Sequence, residues 1–289
     1  MDHAQLNIFS WQNETLAKGY NKLAAFSFDE AEVIFTEIKM RYMSTDTEVD
    51  EALILVNYWR IFFEQIEDKS VEHQIRFLHE EVSRFRFSKT WGMELLRAAL
   101  IRHVIGLMRQ RGEFFITEQV ALSDLYSEVN SIKMAEQVLT RQLSLDERDN
   151  NLRFRLAHIM WHNGLKGEAK KHYALGLIYN PVLVPRRYLS CSEISELINR
   201  HGPEMTPAYG WVDGIIPLLH SPEDIPAMND AHRKALACYR LLTKAERASK
   251  NRNIDGCVEY RKELKKSHPG FYEAYFTLLS KRTQPRQFL

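Results

Sequence analysis

Apolar residues recur along most of the chain at spacings of three and four, which place them on one face of an α-helix. The pattern predicts helices over residues 11–25, 28–43, 47–66, 70–86, 89–110, 116–129, 132–144, 150–163 and 166–179. The segments between them are short, so consecutive helices are expected to pack as antiparallel pairs. The predicted fold class is therefore all-α, an α-solenoid built from helix pairs.

The nine prolines are distributed unevenly and divide the chain into three parts. None occurs in the first 180 residues, and seven of the nine lie between Pro181 and Pro226. Proline removes a backbone donor and clashes with the preceding helical turn. The distribution predicts a helical-repeat array over 1–180, an irregular Pro-rich insert over 181–227 and a basic C-terminal helical cap over 228–289.

The Pro-rich insert is too apolar to extend into solvent. A short helix is predicted after Ser190 or Ser192, ending at Gly202. The apolar residues that follow are expected to pack on the helical array; they are Tyr209, Trp211, Ile215, Ile216, Leu218 and Leu219. Long loops are often functional, so the 203–227 segment is expected to be either a lid over a binding face or a connector between two helical lobes.

Three segments share one spacing of small and apolar residues. In the clearest, 150–183, Ala157 is followed by Ala169, Tyr173 and Pro181. The twelve-residue spacing recurs in segments 12–45 and 238–271, at Gly19 and Ala31 and at Ala245 and Cys257. Phe35 is then in register with Tyr173, Pro269 with Pro181, and Ile38 with Leu264. Small residues twelve apart are expected where two antiparallel helices cross closely, because larger side chains would push the backbones apart.

Segment 150–183 resembles the tetratricopeptide repeat, a 34-residue helix-turn-helix unit, and the other two segments resemble it less closely. The resemblance implies a tetratricopeptide-like α-solenoid in which the first helix of each pair lines a concave, peptide-binding surface. Carried over to this sequence, that surface holds Asn151, Phe154, His158, Trp161 and His162, with Tyr20 equivalent in the first segment. The competing interpretation is that a neighbouring helix buries this face.

The charge of the chain is also distributed unevenly. Residues 231–289 hold 14 Lys or Arg against 5 Asp or Glu, whereas residues 1–230 hold 25 against 33. Within the basic part, a stripe along one helix face is formed by Arg240, Lys244, Arg247 and Lys250. Such a stripe is either a solvated helix face or a surface that binds phosphates.

Motifs for chemistry are few. The sequence contains no phosphate-binding loop, dinucleotide fingerprint or nucleophile elbow. His158 and His162 share a helix face at metal-ligand spacing, but no Glu follows the first histidine and no third ligand is evident, so surface histidines are the expected interpretation. We expect no cofactor, no metal and no enzymatic activity.

Three scattered cysteines and an amino terminus without a signal-peptide pattern predict free thiols in the cytoplasm, with no membrane contact. The predicted function is a non-catalytic scaffold or adaptor that binds a peptide or partner protein. The alternatives are a nucleic-acid-associated protein that uses the basic stripe, and a regulator that binds a small molecule or glycan.

Overall fold

The computed structural model describes residues 3–42, 47–117, 120–220 and 224–283. The chain divides into two compact units, residues 1–135 and residues 136–289. The described elements up to residue 128 are α1 (His3–Ala24), α2 (Phe28–Tyr42), α3 (Thr47–Glu67), α4 (Val71–Arg84), α5 (Trp91–Arg111), β1 (Phe115–Thr117), β2 (Val120–Ala121) and α6 (Leu122–Glu128). Helix α7 (Ile132–Leu145) spans the boundary between the units.

The second unit contains six further helices among the described residues: α8 (Asn150–His162), α9 (Lys166–Tyr179), α10 (Ser192–Val212), α11 (Asp230–Lys250), α12 (Ile254–Ser267) and α13 (Pro269–Thr283). A single 3₁₀ turn, Arg186–Tyr188, lies between α9 and α10. The described part of the chain is therefore all-helical apart from one two-stranded hairpin, which confirms the all-α part of the predicted class. The predicted domain boundaries at 180 and 227 do not coincide with the division at residue 135.

The three segments that share the repeat spacing form the three most extensively packed helix pairs of the described chain, α1 with α2, α8 with α9, and α11 with α12. The spaced residues are buried in all three pairs; they include Gly19, Ala31 and Phe35, Ala157, Ala169 and Tyr173, and Ala245, Cys257 and Leu264. A Cβ added to Gly19 would lie 2.5 Å from the Phe35 ring. The small residues thus lie where the paired helices approach, as the spacing predicts.

Several helix ends are capped by side-chain or backbone interactions. The Ser70 hydroxyl accepts a hydrogen bond from the His73 backbone N–H at the start of α4. Asp149, at the start of α8, accepts from Leu152 N–H at 3.0 Å. Gly112 ends α5 in the left-handed conformation with φ 73°. Each side-chain cap satisfies a backbone donor that the helix leaves unpaired and contributes about 1 kcal/mol.

The prediction of a helix over residues 116–129 is wrong in its first part. Residues 115–117 and 120–121 pair as an antiparallel hairpin, and α6 begins only at Leu122. The Asp124 carboxylate accepts a hydrogen bond from the Ala121 N–H at 3.1 Å, which fixes the helix start there. The β-branched residues Ile116 and Thr117 favour the extended conformation over the helix.

The short helix predicted to end at Gly202 is present as the first half of α10, but the prediction that the rest of 181–227 is irregular is wrong for residues 203–212, which form its second half. Gly202, with φ 76°, interrupts α10, and Pro203 starts its second half. Proline is tolerated at a first helical position, where its missing N–H would have no intrahelical partner. Pro207 lies one turn further inside the same helix, so neither proline prevents a helix in this segment.

The apolar residues of the insert pack as predicted, in the core of the second unit. Ala208 and Ile225 belong to a buried cluster with Tyr239, Leu242 and Tyr275, and Tyr209, Trp211 and Leu218 pack against it. Ile216 is also buried. The three cysteines are free and buried, in agreement with the predicted thiols. No described helix is both long and apolar enough to cross a membrane.

The close approach at Gly19 can be tested against a second helical glycine. Gly19→Ala is expected to destabilise the protein by about 1–3 kcal/mol, because the added methyl group overlaps the fully buried Phe35 ring. Gly106→Ala, on an exposed part of α5 with no atom within 4 Å of the added Cβ, is expected to stabilise it by up to about 1 kcal/mol. Urea denaturation of both variants measures the difference, and equal effects of the same sign would contradict the helix-crossing assignment.

Candidate functional site

Two of the predicted binding residues lie in the core. Tyr20 is 2% exposed and its ring packs against Phe35 of α2 and Gly92 of α5. Phe154 is 0% exposed, with its ring against Gly176 and edge-on to Tyr173 of α9. The prediction that these two side chains contact a partner is therefore wrong. The rings fill the space that glycine leaves between packed helices and are not available to a ligand.

The remaining residues of the predicted face lie at or near the surface of α8. Asn151, His158 and Trp161 are half-buried, and His162 is exposed. The Ser190 hydroxyl lies 2.7 Å from His158 Nδ1 and 3.2 Å from His162 Nε2. Among the described residues, no three His, Cys, Asp or Glu side chains are grouped so that they could hold a metal ion. The two histidines instead hydrogen-bond a serine.

The segment 186–190 covers part of this face of α8. The Tyr188 ring centroid lies 5.8 Å from that of His158, and the Arg155 guanidinium lies over the Tyr188 ring at 4.8 Å. The Tyr173 hydroxyl donates to the Tyr188 carbonyl at 2.7 Å and accepts from the Ser190 N–H at 3.1 Å. The start of the insert is thus hydrogen-bonded onto the helix pair beneath it.

The predicted basic stripe is only partly a continuous surface. Lys244 is exposed, whereas Arg240 is half-buried. Arg247 and Lys250 line a cleft of about 550 Å³ in the second unit together with Trp211, Leu218, His220, Thr243, Glu246 and Ser249. We call it the basic cleft. Arg247 donates to His220 Nδ1 at 2.8 Å, which requires that this nitrogen be unprotonated.

A second cleft, in the first unit, was not predicted. It has a volume of about 660 Å³. Four aromatic rings line it, those of Phe26, Phe28, Phe63 and His103. Four carboxylates also line it, those of Asp29, Glu30, Glu64 and Glu67. The remaining lining residues are Ser27, Arg60, Ile66 and Gln74. We call it the aromatic–acidic cleft.

The turn between α1 and α2 places two of its rings. Phe26 N–H donates to the Leu23 carbonyl and Ser27 N–H to the Lys22 carbonyl, both at 3.0 Å. These bonds form a Schellman motif with Phe26, at φ 59°, in the left-handed position where glycine is usual. A residue with a Cβ costs about 1–2 kcal/mol there. The side chain of this strained residue lines the cleft. Strained backbone positions of this kind are typical of binding sites.

The rings pack on one another and form a continuous aromatic wall. Phe63 on α3 lies 4.9 Å from Phe26 and 5.7 Å from Phe28 between ring centroids. The His103 ring of α5 meets Phe26 and Phe63 edge-on at 5.2 and 5.5 Å. Burial lowers the pKa of His103 from 6.5, so this ring is neutral at pH 7.

The carboxylates of the aromatic–acidic cleft are only partly compensated. Arg60 forms ion pairs with Glu32 at 2.5 Å and Asp29 at 3.4 Å, and Glu30 pairs with Lys22 at 2.6 Å. Glu64 and Glu67 are exposed, and the described residues provide no ion-pair partner for either of them within 4.0 Å. Glu67 ends α3, whose last turn has no basic residue and presents the negative end of the helix dipole. The cleft therefore carries excess negative charge.

Sequence reasoning missed this cleft because its walls come from four separate segments of the chain. The sequence does hold one local signal, a Phe where the end of α1 requires a left-handed residue and glycine is usual. Comparison of the chain with family models, curated proteins and solved structures found no match.

The hydrogen bonds of Tyr173 provide a test of how the 186–190 segment is held. Tyr173→Phe leaves the Tyr188 carbonyl and the Ser190 N–H without this partner, and it is expected to lower the free energy of unfolding by about 1–3 kcal/mol. Amide exchange at Ser190 is expected to accelerate at the same time. Tyr272→Phe is the control, because the Tyr272 hydroxyl has no hydrogen-bond partner among the described residues, and equal losses in both variants would contradict the anchoring role.

Proposed function

We propose that the protein is a non-catalytic adaptor, and that the aromatic–acidic cleft of the first unit binds a peptide segment of a partner protein. The observation that carries the proposal is the aromatic wall of Phe26, Phe28 and Phe63 in a cleft of about 660 Å³. Ligand sites usually enclose 300–1,000 Å³ and combine apolar walls with a few polar groups. Rigid aromatic side chains also dominate the energetics of protein interfaces.

This proposal moves the binding site from the face of α8 to the first unit. A tetratricopeptide-like solenoid is the architecture that we propose for the adaptor, and the three packed helix pairs support it. The three free cysteines support a reducing compartment, and we assign the adaptor to the cytoplasm on that ground.

A library of random peptides displayed on phage and selected on the full chain tests the proposed cleft. Peptides that bind the wild-type protein are expected to bind Glu64→Trp at least about tenfold more weakly, because the indole fills the cleft. Glu51→Trp places the same side chain on an exposed position of α3 outside the cleft, and is expected to leave affinity unchanged. A selection that yields only peptides insensitive to Glu64→Trp would refute the assignment.

A second candidate function, association with single-stranded nucleic acid, is favoured by one observation in the second unit. The basic cleft brings Trp211 next to Arg247 and Lys250, so that an aromatic ring for base stacking lies beside two cations for phosphates. In the sequence, the aromatic residues near this stripe before residue 271 are Tyr239 and Tyr260, whereas Trp211 reaches it only in the fold. Glu246 is the carboxylate that lines the same cleft, and it is already engaged. It accepts a hydrogen bond from the Tyr275 hydroxyl and lies 3.9 Å from the Arg261 guanidinium.

Binding of a fluorescein-labelled dT20 strand tests this second candidate. Affinity is expected to fall steeply between 20 and 200 mM salt, and Arg247→Gln with Lys250→Gln is expected to reduce the logarithmic salt slope by about 1.4. Lys234→Gln with Lys262→Gln removes two exposed charges from α11 and α12 away from the cleft. No binding at 20 mM salt, or an equal loss in both double variants, would eliminate the candidate.

A further inference from the structure

Glu64 and Glu67 of the aromatic–acidic cleft face solvent, and the described residues give neither an ion pair within 4.0 Å. Glu64 interacts with Arg60 only at longer range. The only cation that lines the cleft within the described chain is Arg60, which is already held by Glu32 and Asp29. The negative end of α3 lies beside the same two glutamates. The cleft is therefore an electrostatically incomplete site that a positive charge would complete.

The aromatic wall favours the same kind of ligand. The face of a phenylalanine ring is the negative part of its quadrupole and attracts ammonium and guanidinium groups. Three such rings are packed within 6.3 Å of one another between centroids, so a cation in the cleft would contact rings as well as carboxylates. Because His103 is neutral at pH 7, it adds an aromatic ring to the wall without adding a positive charge.

Other ligand chemistries fit less well. An anion would face four carboxylates against one guanidinium. A purely apolar ligand would cover Glu64 and Glu67, and a carboxylate that loses water without gaining a partner is destabilised. A basic side chain avoids both penalties, since its aliphatic stem lies along the rings while its charged group reaches the carboxylates.

We propose that the aromatic–acidic cleft recognises the positively charged side chain of a lysine or arginine in the peptide of a partner protein. This inference rests on the proposed peptide-binding function and specifies the residue that enters the cleft. Phe26, Phe28 and Phe63 contact the side chain, Glu64 and Glu67 pair with its charge, and Arg60 stays bound to Glu32 and Asp29.

Titration of the full chain, with its phenylalanine rings ¹³C-labelled, provides the test. The probes are the N-acetyl, N′-methylamide forms of lysine, arginine and norleucine, the last being a neutral analogue of lysine with similar apolar length. Lysine and arginine are expected to bind at least about fivefold more tightly than norleucine, and to shift the ring resonances of Phe26 and Phe63. The preference is expected to decrease at 0.5 M salt, because exposed charges are screened.

Two double variants separate local charge from total charge. Glu64→Gln with Glu67→Gln is expected to abolish the preference for the cations, whereas Glu51→Gln with Glu94→Gln removes two exposed carboxylates of the same unit outside the cleft and is expected to preserve it. All four positions are exposed, so the variants are expected to fold. Equal affinity for norleucine and lysine, or an equal loss of preference in both double variants, would overturn the inference.

The outcomes distinguish a failure of this inference from a failure of the proposed peptide-binding function. If all three probes shift the Phe63 resonance equally and selected peptides remain sensitive to Glu64→Trp, the cleft binds peptides without regard to charge and only the cation inference fails. If no probe shifts the rings and no selected peptide is sensitive to Glu64→Trp, both fail together.

Discussion

The contact between a small residue on one helix and an aromatic ring on its partner is the constraint on which two of the repeat-like helix pairs depend, α1 with α2 and α8 with α9. Gly19 receives the Phe35 ring, and Gly176 receives the Phe154 ring, each so closely that a single methyl group would overlap it. Interiors packed at this density tolerate little change in volume. The distance between the helices of a pair, and with it the direction in which the connecting turn leaves, follows from these contacts.

The same constraint decides which aromatic residues are available for binding. A ring that fills a helix crossing is fully buried, as Phe154 is, and contributes to stability alone. A ring at the connection between two helices is only half-buried, as are those of Phe26 in the turn after α1 and of Phe28 at the first position of α2. Aromatic residues in this protein thus divide by their place in the helix pair. Rings at the helix crossings are buried, whereas those at the α1–α2 connection line the aromatic–acidic cleft together with Phe63 of α3.

The helices were predictable from the sequence because periodicity is a local property, and the repeat spacing identified the three helix pairs before their contacts were known. Two local predictions failed because a single residue outweighs the hydrophobic periodicity. The Asp124 cap starts α6 later than predicted, and Pro203 starts a helical half where irregular structure was predicted. The predicted binding face failed at Tyr20 because α5, some seventy residues away, covers that side of α1. The aromatic–acidic cleft was not predictable, since Phe26, Phe63 and His103 meet only after the helices have packed.

The turn that carries Phe26 has a consequence for the rate at which a ligand enters. Its backbone is closed by two hydrogen bonds at the end of α1 and continues directly into α2, so the aromatic wall is formed before any ligand arrives. A preformed wall has little conformational entropy left to lose, and no rearrangement delays the encounter. For the peptides that we propose as ligands of this cleft, association is expected to be limited by diffusion and orientation. The lifetime of a complex, rather than the speed of its formation, is then expected to separate one ligand from another.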